Sequence, residues 1–130
     1  MITREYYLAA PWVERESARE FRDAVDALKG WICTARWLDS HHDIGSPVAD
    51  LRGDMFDDLA DIHRADTFIM LNNYPPSAGR LTEFGYALAK GKRLVVIQPP
   101  VATQSPINIF LLHPSVEVYG SLLEVPNERV

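Results

Sequence analysis

The sequence has a single cysteine, Cys33, among its 130 residues. One thiol cannot form an intrachain disulfide, and it cannot build a metal site from thiolates alone. Its surroundings in residues 31–35, W-I-C-T-A, are typical of a buried strand, so we expect a packed, inert thiol. Long apolar runs are also missing. The N-terminal apolar stretch is too short for a signal peptide or a membrane span, which predicts a cytoplasmic protein.

Clusters of lysine and arginine are absent as well. The 13 basic residues are outnumbered by 18 acidic ones, for a net charge of −5. An acidic chain without a basic patch is a poor candidate for binding polymeric nucleic acid or an anionic membrane. It can still bind one phosphate group, because a single site needs only a few hydrogen-bond donors.

Several motifs that would assign a chemistry are missing. The sequence contains neither G-x-x-x-x-G-K-[ST] nor G-x-G-x-x-G, which disfavours a P-loop NTPase and a dinucleotide-binding Rossmann domain. It has no G-x-S-x-G elbow, which disfavours a serine hydrolase of the α/β class. His41, His42 and Asp43 are possible metal ligands, but adjacent histidines in a polar loop are more often solvated or contact substrate. We therefore predict no metal and no cofactor.

What is present is an alternation of apolar strands and amphipathic helices in one domain, residues 1–130. The pattern predicts strands at residues 6–10, 31–38, 67–71, 94–97 and 116–119, helices at 14–29, 48–64 and 79–90, and a helical turn near 107–112. This alternation is typical of an α/β protein with a parallel sheet and helices on both faces. Ligands of such sheets bind beyond the carboxyl ends of the strands. The predicted site therefore lies where residues 9–13, 38–46, 72–80 and the loop from Gln98 meet.

The most informative stretch is residues 77–89, S-A-G-R-L-T-E-F-G-Y-A-L-A. At helical spacing its predicted packing face carries Leu81, Phe84, Gly85, Leu88 and Ala89. Glu83 falls off this face in the predicted first turn, where the helix dipole favours an ionised carboxylate. The backbone near Gly79 and the Arg80 side chain are candidate donors to a phosphate or a sugar hydroxyl. A glutamate in a first turn is also common without catalysis, so the spacing alone leaves both interpretations open.

The preceding helix is rich in aspartate. Its predicted buried stripe consists of Leu51, Met55, Leu59 and Ile62, and beside that stripe lie Asp50, Asp54, Asp57, Asp58 and Asp61. We expect most of these carboxylates to form a solvated face. One of them beside the cleft could protonate a leaving nucleobase or deprotonate water while Glu83 attacks the anomeric carbon. Retaining glycosyl chemistry requires two carboxylates that divide these roles.

Three segments, in order along the chain, resemble the nucleoside 2-deoxyribosyltransferase family, which also holds the 2′-deoxynucleoside 5′-phosphate N-hydrolases. They are Y-L-A-A-P-W at 7–12, D-L-A-D-I-H-R-A-D at 58–66 and G-R-L-T-E-F-G-Y-A-L-A-K-G-K at 79–92, the last being the most specific. The resemblance implies a single-domain, doubly wound, flavodoxin- or Rossmann-like fold with a five-stranded parallel sheet. It also implies a small nucleoside or nucleotide as substrate and assembly as a homodimer or larger homo-oligomer.

The same resemblance implies roles for individual residues. Glu83 matches the nucleophile that forms a glycosyl-enzyme, and Asp58 matches the acid/base. Tyr7, Ala9 and Trp12 match the segment that lines the sugar and nucleobase pocket, where an aromatic ring offers a stacking surface.

The chain also departs from both branches of that family. Transferases carry an aspartate where this chain has Ser77, and a serine there resembles the phosphate-binding serine of the nucleotide hydrolases. Yet residues 9–12, A-A-P-W, lack the serine and arginine that the hydrolases use for phosphate in their first loop. Arg80, or more weakly Arg15, is the candidate replacement. Three functions therefore stay open: 2-deoxyribosyl transfer first, nucleotide hydrolysis second, and non-catalytic nucleotide sensing third.

Overall fold

The computed structural model describes residues 4–28, 30–40, 42–43, 45–72, 78–98, 109–121 and 124–125. Its five strands are β1 (Arg4–Ala9), β2 (Trp31–Cys33), β3 (Thr67–Leu71), β4 (Arg93–Ile97) and β5 (Val116–Tyr119). They form one parallel sheet in the order β2-β1-β3-β4-β5, which confirms the predicted doubly wound fold. The strand order reverses between β1 and β3, and this switch point is where open α/β sheets bind their ligands.

Four helices connect the strands: α1 (Arg15–Asp26), α2 (Trp37–Ser40), α3 (Val48–Arg64) and α4 (Ala78–Ala89). Two neighbouring tyrosines of β1 show which face of the sheet α1 and α4 cover. Tyr6 donates its hydroxyl to Asp26 of α1 at 2.9 Å, and Tyr7 donates its hydroxyl to Glu83 of α4 at 2.7 Å. Successive side chains of a strand point to opposite faces, so α1 and α4 cover opposite faces. Helix α3 packs against α4 and shares its face.

Aromatic packing positions α4 over the centre of the sheet. The Tyr7 ring stacks on Phe68 of β3, with centroids 5.7 Å apart, and Phe84 of α4 meets Phe68 edge-on at 6.3 Å. All three side chains are almost fully buried, and each such burial contributes about 1.5–3 kcal/mol. Because Phe84 anchors its helix, the adjacent Glu83 has little freedom to move relative to Tyr7.

The segment after β2 differs from its prediction. The predicted strand 31–38 ends at Cys33, after which Thr34 donates its hydroxyl to the Asp61 carbonyl at 2.8 Å and the chain enters α2. Trp37 of α2 is buried and donates its indole N–H to the Leu8 carbonyl at 2.8 Å. Apolar residues predominate on both sides of this boundary, with Trp31 buried in the strand and Trp37 and Leu38 buried in the short helix, and this hid the boundary between them.

Two other helix boundaries follow local signals. A helix was predicted at residues 14–29. In the structure a 3₁₀ turn, Trp12–Glu14, precedes α1, and α1 ends at Asp26, earlier than predicted. Gly91, with φ of 72°, follows α4 and confirms the predicted glycine stop, since this backbone conformation favours glycine. Strands β3 and β5 have their predicted limits, and so does helix α3.

Among the helices of the described residues, none has the length and apolar character that a membrane span requires.

The predicted burial of α3 is wrong in part. Ile62 is fully buried, but Met55 is 43% exposed, whereas Asp61 and Asp54 are only 1% and 8% exposed. Asp61 is buried because it accepts hydrogen bonds from the backbone N–H of Arg36 at 3.0 Å and from its Nε at 2.9 Å. These two aspartates therefore do not belong to a solvated face.

The predicted packing face of α4 is also wrong in part. Gly85 and Ala89 are exposed, whereas Arg80, Phe84 and Ala87 are buried. Among the described atoms, none lies within 4 Å of the place where a side chain at Gly85 would begin, so this glycine does not permit a close approach to the sheet. Cys33 is partly buried in β2, and burial raises the pKa of its thiol to about 11, which keeps it protonated at neutral pH.

Candidate active site

A cavity of about 350 Å³ opens at the switch point of the sheet. Its wall is built from the end of β1, the 3₁₀ turn after it, α2, one side of α3 and the first half of α4. The lining residues are Tyr7, Ala10, Trp12, Trp37, Met55, Asp58, Leu59, Gly79, Arg80, Thr82 and Glu83. The cavity therefore lies where the strand order predicts a ligand.

Glu83 differs in one respect from its predicted setting. It is the sixth residue of α4 as described and lies in the second helical turn, whereas the effect of the helix dipole falls off within the first turn. The expectation that the dipole keeps this carboxylate ionised is therefore wrong. Burial raises the pKa of Glu83 to about 8, Asp58 contributes to the rise, and the hydrogen bond from Tyr7 opposes it.

Asp58 completes a pair of carboxyl groups. It lies on α3, partly buried, and its side chain is within hydrogen-bonding distance of the Glu83 carboxyl. Two carboxyl groups this close repel when both are ionised, so the pair keeps a proton near neutral pH. Burial also raises the pKa of Tyr7 well above its ordinary value, so its hydroxyl stays protonated and donates to Glu83.

The first loop contributes aromatic surface. Trp12 is 37% exposed and lines the cavity, with its ring centroid 6.3 Å from that of Trp37. The Arg15 guanidinium lies 4.0 Å from the centre of the Trp12 ring. Ala9 is only 1% exposed because it ends β1 inside the sheet, and the next residue, Ala10, forms the wall instead.

The predicted phosphate-binding residues are only partly in place. Gly79 is exposed and lines the cavity. Arg80 also lines it, but this side chain is 4% exposed and donates from Nη1 to the carbonyl of Leu71 at the end of β3. Burial lowers the pKa of Arg80. Ser77 lies outside the described residues.

A second cavity, of about 640 Å³, adjoins the first. It is lined by Trp12, His42, Asp43, Leu51, Asp54, Met55 and Asp58. The sequence did not predict that Met55 lines the cleft, and it did not predict the contact between His42 and Asp54. No pattern along the chain indicates this contact, because it joins a loop residue to a residue of the following helix. The sequence offered His42 as a possible metal ligand and, more commonly for such a loop, as a solvated or substrate-contacting residue. In the described part of the chain no group of three or more possible ligands is close enough to hold a metal ion.

The fold and the cleft define a doubly wound α/β protein with a carboxyl pair at its switch point. No protein family and no curated protein matches the chain by sequence. Solved structures share its fold. A CMP N-glycosidase from Clostridium botulinum is 22% identical, with a TM-score of 0.62 over 96% of this chain and 97% of that one.

A 2-deoxyribosyltransferase from Bacillus psychrosaccharolyticus is 20% identical, with a TM-score of 0.65 over 96% of this chain and 92% of that one. A conserved protein from Enterococcus faecalis is 17% identical, with a TM-score of 0.71 over 98% and 97% of the two chains. At these identities the likeness shows the fold, which is that of the nucleoside 2-deoxyribosyltransferases. It also supports the family resemblance carried by the sequence motifs.

Proposed function

We propose that this protein cleaves the N-glycosidic bond of a nucleoside or nucleotide, with Glu83 as nucleophile and Asp58 as acid/base. The observation that carries the proposal is the contact of these two carboxyl groups in a cleft, with the Tyr7 hydroxyl 2.7 Å from Glu83 Oε2. Inverting glycosidases hold their carboxyl groups roughly 6.5–9.5 Å apart to admit water between them. Retaining enzymes hold them only about 5–5.5 Å apart, so the close approach of Asp58 to Glu83 favours a retaining, covalent route.

The position of the shared proton decides which carboxyl attacks. Tyr7 donates a hydrogen bond to Glu83, which stabilises the ionised form of Glu83 more than that of Asp58. The pKa of about 8 then describes the loss of the last proton of the coupled pair, and the hydrogen bond from Tyr7 favours Asp58 as the group that holds this proton. This leaves an ionised nucleophile beside a protonated acid, the combination that the first chemical step needs.

In that step Glu83 attacks the anomeric carbon and the bond from this carbon to the nucleobase nitrogen breaks. Asp58 gives its proton to the departing nucleobase, and the sugar remains esterified to Glu83. Asp58, now ionised, then takes a proton from the acceptor as it attacks the same carbon. The cycle ends with Glu83 ionised and Asp58 protonated, as it began.

The acceptor distinguishes two versions of this function. We place first the transfer of a 2-deoxyribosyl group to another nucleobase. In support of transfer, Arg80 is already hydrogen-bonded to Leu71, and the walls of the cleft are largely apolar and aromatic. An uncharged nucleoside suits such walls better than a nucleotide.

Hydrolysis of a nucleoside 5′-monophosphate is the second candidate. The fold shared with a CMP N-glycosidase favours it, as does the position of Arg80 and Gly79 on the cleft wall at the start of α4. Backbone N–H groups at a helix start and an arginine are suited to bind a phosphate.

Product analysis separates these possibilities. Purified protein is incubated with deoxynucleosides and deoxynucleoside 5′-monophosphates, with and without a free acceptor nucleobase, and the products are resolved by chromatography. A new nucleoside that forms only with acceptor supports transfer, and free nucleobase released from monophosphates alone supports hydrolysis. Tight nucleotide binding without turnover, unaffected in Glu83→Gln, would contradict both and favour a sensing module.

Matched variants make the assignment of the carboxyl groups testable. Glu83→Ala should abolish turnover, whereas Glu20→Gln, on the exposed side of α1, should leave it unchanged. Asp58→Asn should lower turnover strongly, and Asp57→Asn, its neighbour on α3, should not. Rapid acid quench followed by mass spectrometry should detect a glycosyl adduct on the peptide that contains Glu83.

A further inference from the structure

The cleft has two compartments that share one wall. The first cavity holds Glu83 and Tyr7, and the second holds His42 and Asp54. Both cavities are lined by Trp12, Met55 and Asp58. Asp58 thus lies between the place where a sugar carbon meets Glu83 and the second compartment. A general acid has to reach an atom of the leaving nucleobase while the nucleophile reaches the anomeric carbon, so a nucleobase protonated by Asp58 extends into the second compartment.

The walls of the second compartment suit a flat heteroaromatic ring. Trp12 provides an exposed indole face, and Leu51 and Met55 add apolar surface. Stacking of a nucleobase on an aromatic side chain contributes about 1–3 kcal/mol and tolerates any base. These contacts bind the ring without distinguishing one nucleobase from another, so discrimination needs a polar group.

His42 is a polar group held in a defined orientation there. Asp54 accepts a hydrogen bond from the His42 backbone N–H at 2.8 Å, and its two oxygens lie 3.0 and 3.1 Å from His42 Nδ1. A carboxylate at this position keeps the hydrogen on Nδ1. The other ring nitrogen, Nε2, has no hydrogen-bond partner among the residues that the structure describes. His42 itself is exposed and lines the compartment.

The geometry points to the second cavity as the nucleobase compartment, in which His42, held by Asp54, recognises the exocyclic amino or keto group of the base. This inference rests on the proposed function, since it assigns the substrate's leaving group to a place beside Asp58. His42 is a specificity-determining residue in this arrangement and takes no part in bond cleavage.

The protonation state of His42 decides which group it recognises. With the hydrogen on Nδ1 directed to Asp54, neutral His42 presents a lone pair on Nε2 and accepts from the amino group of adenine or cytosine. Protonated His42 presents an N–H on Nε2 and donates to the keto group of hypoxanthine or uracil. The preference for amino over keto substrates should therefore rise with pH as His42 loses its proton.

The charges around His42 set the pH of this change. The hydrogen bond to Asp54 raises the pKa of His42 above its ordinary value, and the charges of Asp54 and Asp50 add to the rise. The charged groups that line the compartment or flank its wall are Asp43 on the same loop, Asp50, Asp54 and Asp58 on α3, and Arg15 stacked on Trp12. The acidic majority favours protonated His42, so the change in preference falls above the pH at which a free histidine titrates.

The test compares substrate pairs that differ only in this group. Values of kcat/KM are measured for deoxyadenosine against deoxyinosine, and for deoxycytidine against deoxyuridine, from about pH 5.5 to about pH 8, across which histidine titrates. The ratio within a pair cancels the titration of Glu83 and Asp58, which is common to both substrates. We expect the amino-to-keto ratio of the wild type to rise with pH by roughly 3- to 10-fold, the contribution of one hydrogen bond.

Variants identify the residue responsible. In His42→Ala the ratio should not change with pH, and in Asp54→Asn its midpoint should move to lower pH, because the charge that holds the proton is gone. His63→Ala, on the exposed side of α3, is the control and should behave as the wild type. A pH-dependent ratio that persists in His42→Ala, or an equal loss for all four substrates, would overturn the inference.

Binding of free nucleobases separates this inference from the proposed function. Calorimetry with adenine, hypoxanthine, cytosine and uracil needs no turnover. Selective binding that His42→Ala abolishes, in a protein that cleaves none of the nucleosides, would overturn the proposed function and support the nucleobase compartment. Cleavage with no effect of His42 on selectivity in either assay would overturn the compartment alone.

Discussion

Removal of the Tyr7 hydroxyl isolates the interaction that positions the proton of the carboxyl pair. Tyr7→Phe keeps the ring that stacks on Phe68 and deletes only the donor 2.7 Å from Glu83 Oε2. A hydrogen bond to a charged group contributes about 1.5–3 kcal/mol. Its loss moves the shared proton from Asp58 towards Glu83 and depletes the reactive form of the pair. The plateau of kcat/KM should fall roughly 10- to 100-fold.

The pH profile gives a second, independent readout. The reactive pair carries one proton, so activity should decline when that proton is lost, near the pKa of about 8 that burial and the neighbouring Asp58 produce at Glu83. Without Tyr7 the doubly ionised pair loses a stabilising donor and the last proton leaves at higher pH. Since one pH unit corresponds to about 1.4 kcal/mol, the alkaline limb should move up by about one to two units.

Tyr6→Phe is the matched control for this experiment. It deletes the same atom from the preceding residue, whose hydroxyl contacts Asp26 on the opposite face of the sheet. Steady-state kinetics of both variants, with circular dichroism to verify folding, should show a lower plateau and a shifted limb for Tyr7→Phe only. An unchanged profile in Tyr7→Phe, or the same change in both variants, would refute the proposed location of the proton.

Three further predictions concern stability and binding. Between pH 4.5 and about 8 the carboxyl pair holds one proton in the folded state, whereas both carboxyl groups are ionised in the unfolded state, so the stability of the wild type falls as pH rises. Glu83→Gln removes this pair, so in urea unfolding it should gain on the wild type by up to about 1.4 kcal/mol per pH unit across that window, and Glu20→Gln should not. Asp61→Ala should lower the free energy of unfolding by about 1–3 kcal/mol because the backbone N–H and the guanidinium of Arg36 lose their buried acceptor, whereas Asp57→Ala should cost less than about 0.5 kcal/mol. Trp12→Ala should raise KM at least about fivefold with little change in kcat, and Trp12→Phe should recover most of the loss; an unchanged KM would exclude stacking.

Local patterns predicted most of the fold. Strand β3, helix α3 and strand β5 have the limits expected from apolar runs and helical spacing, because these signals depend only on neighbouring residues. These patterns did not predict that β2 ends at Cys33 and that a separate helix, α2, follows it. The choice between strand and helix in that apolar run depends on contacts with Leu8 and Asp61, which are distant in the chain.

For the candidate site, sequence by itself determined which residue types were available and at which end of the sheet they would lie. It named Glu83, Asp58 and Tyr7, and the structure brings all three together. Tertiary structure alone decided that the pair of Glu83 and Asp58 keeps a proton near neutral pH, since burial and the neighbouring Asp58 raise the pKa of Glu83, whereas the helix dipole was expected to keep it ionised. It also decided that His42 meets Asp54 beside Trp12. Distances and desolvation arise only when separate elements pack, so no spacing along the chain contains them.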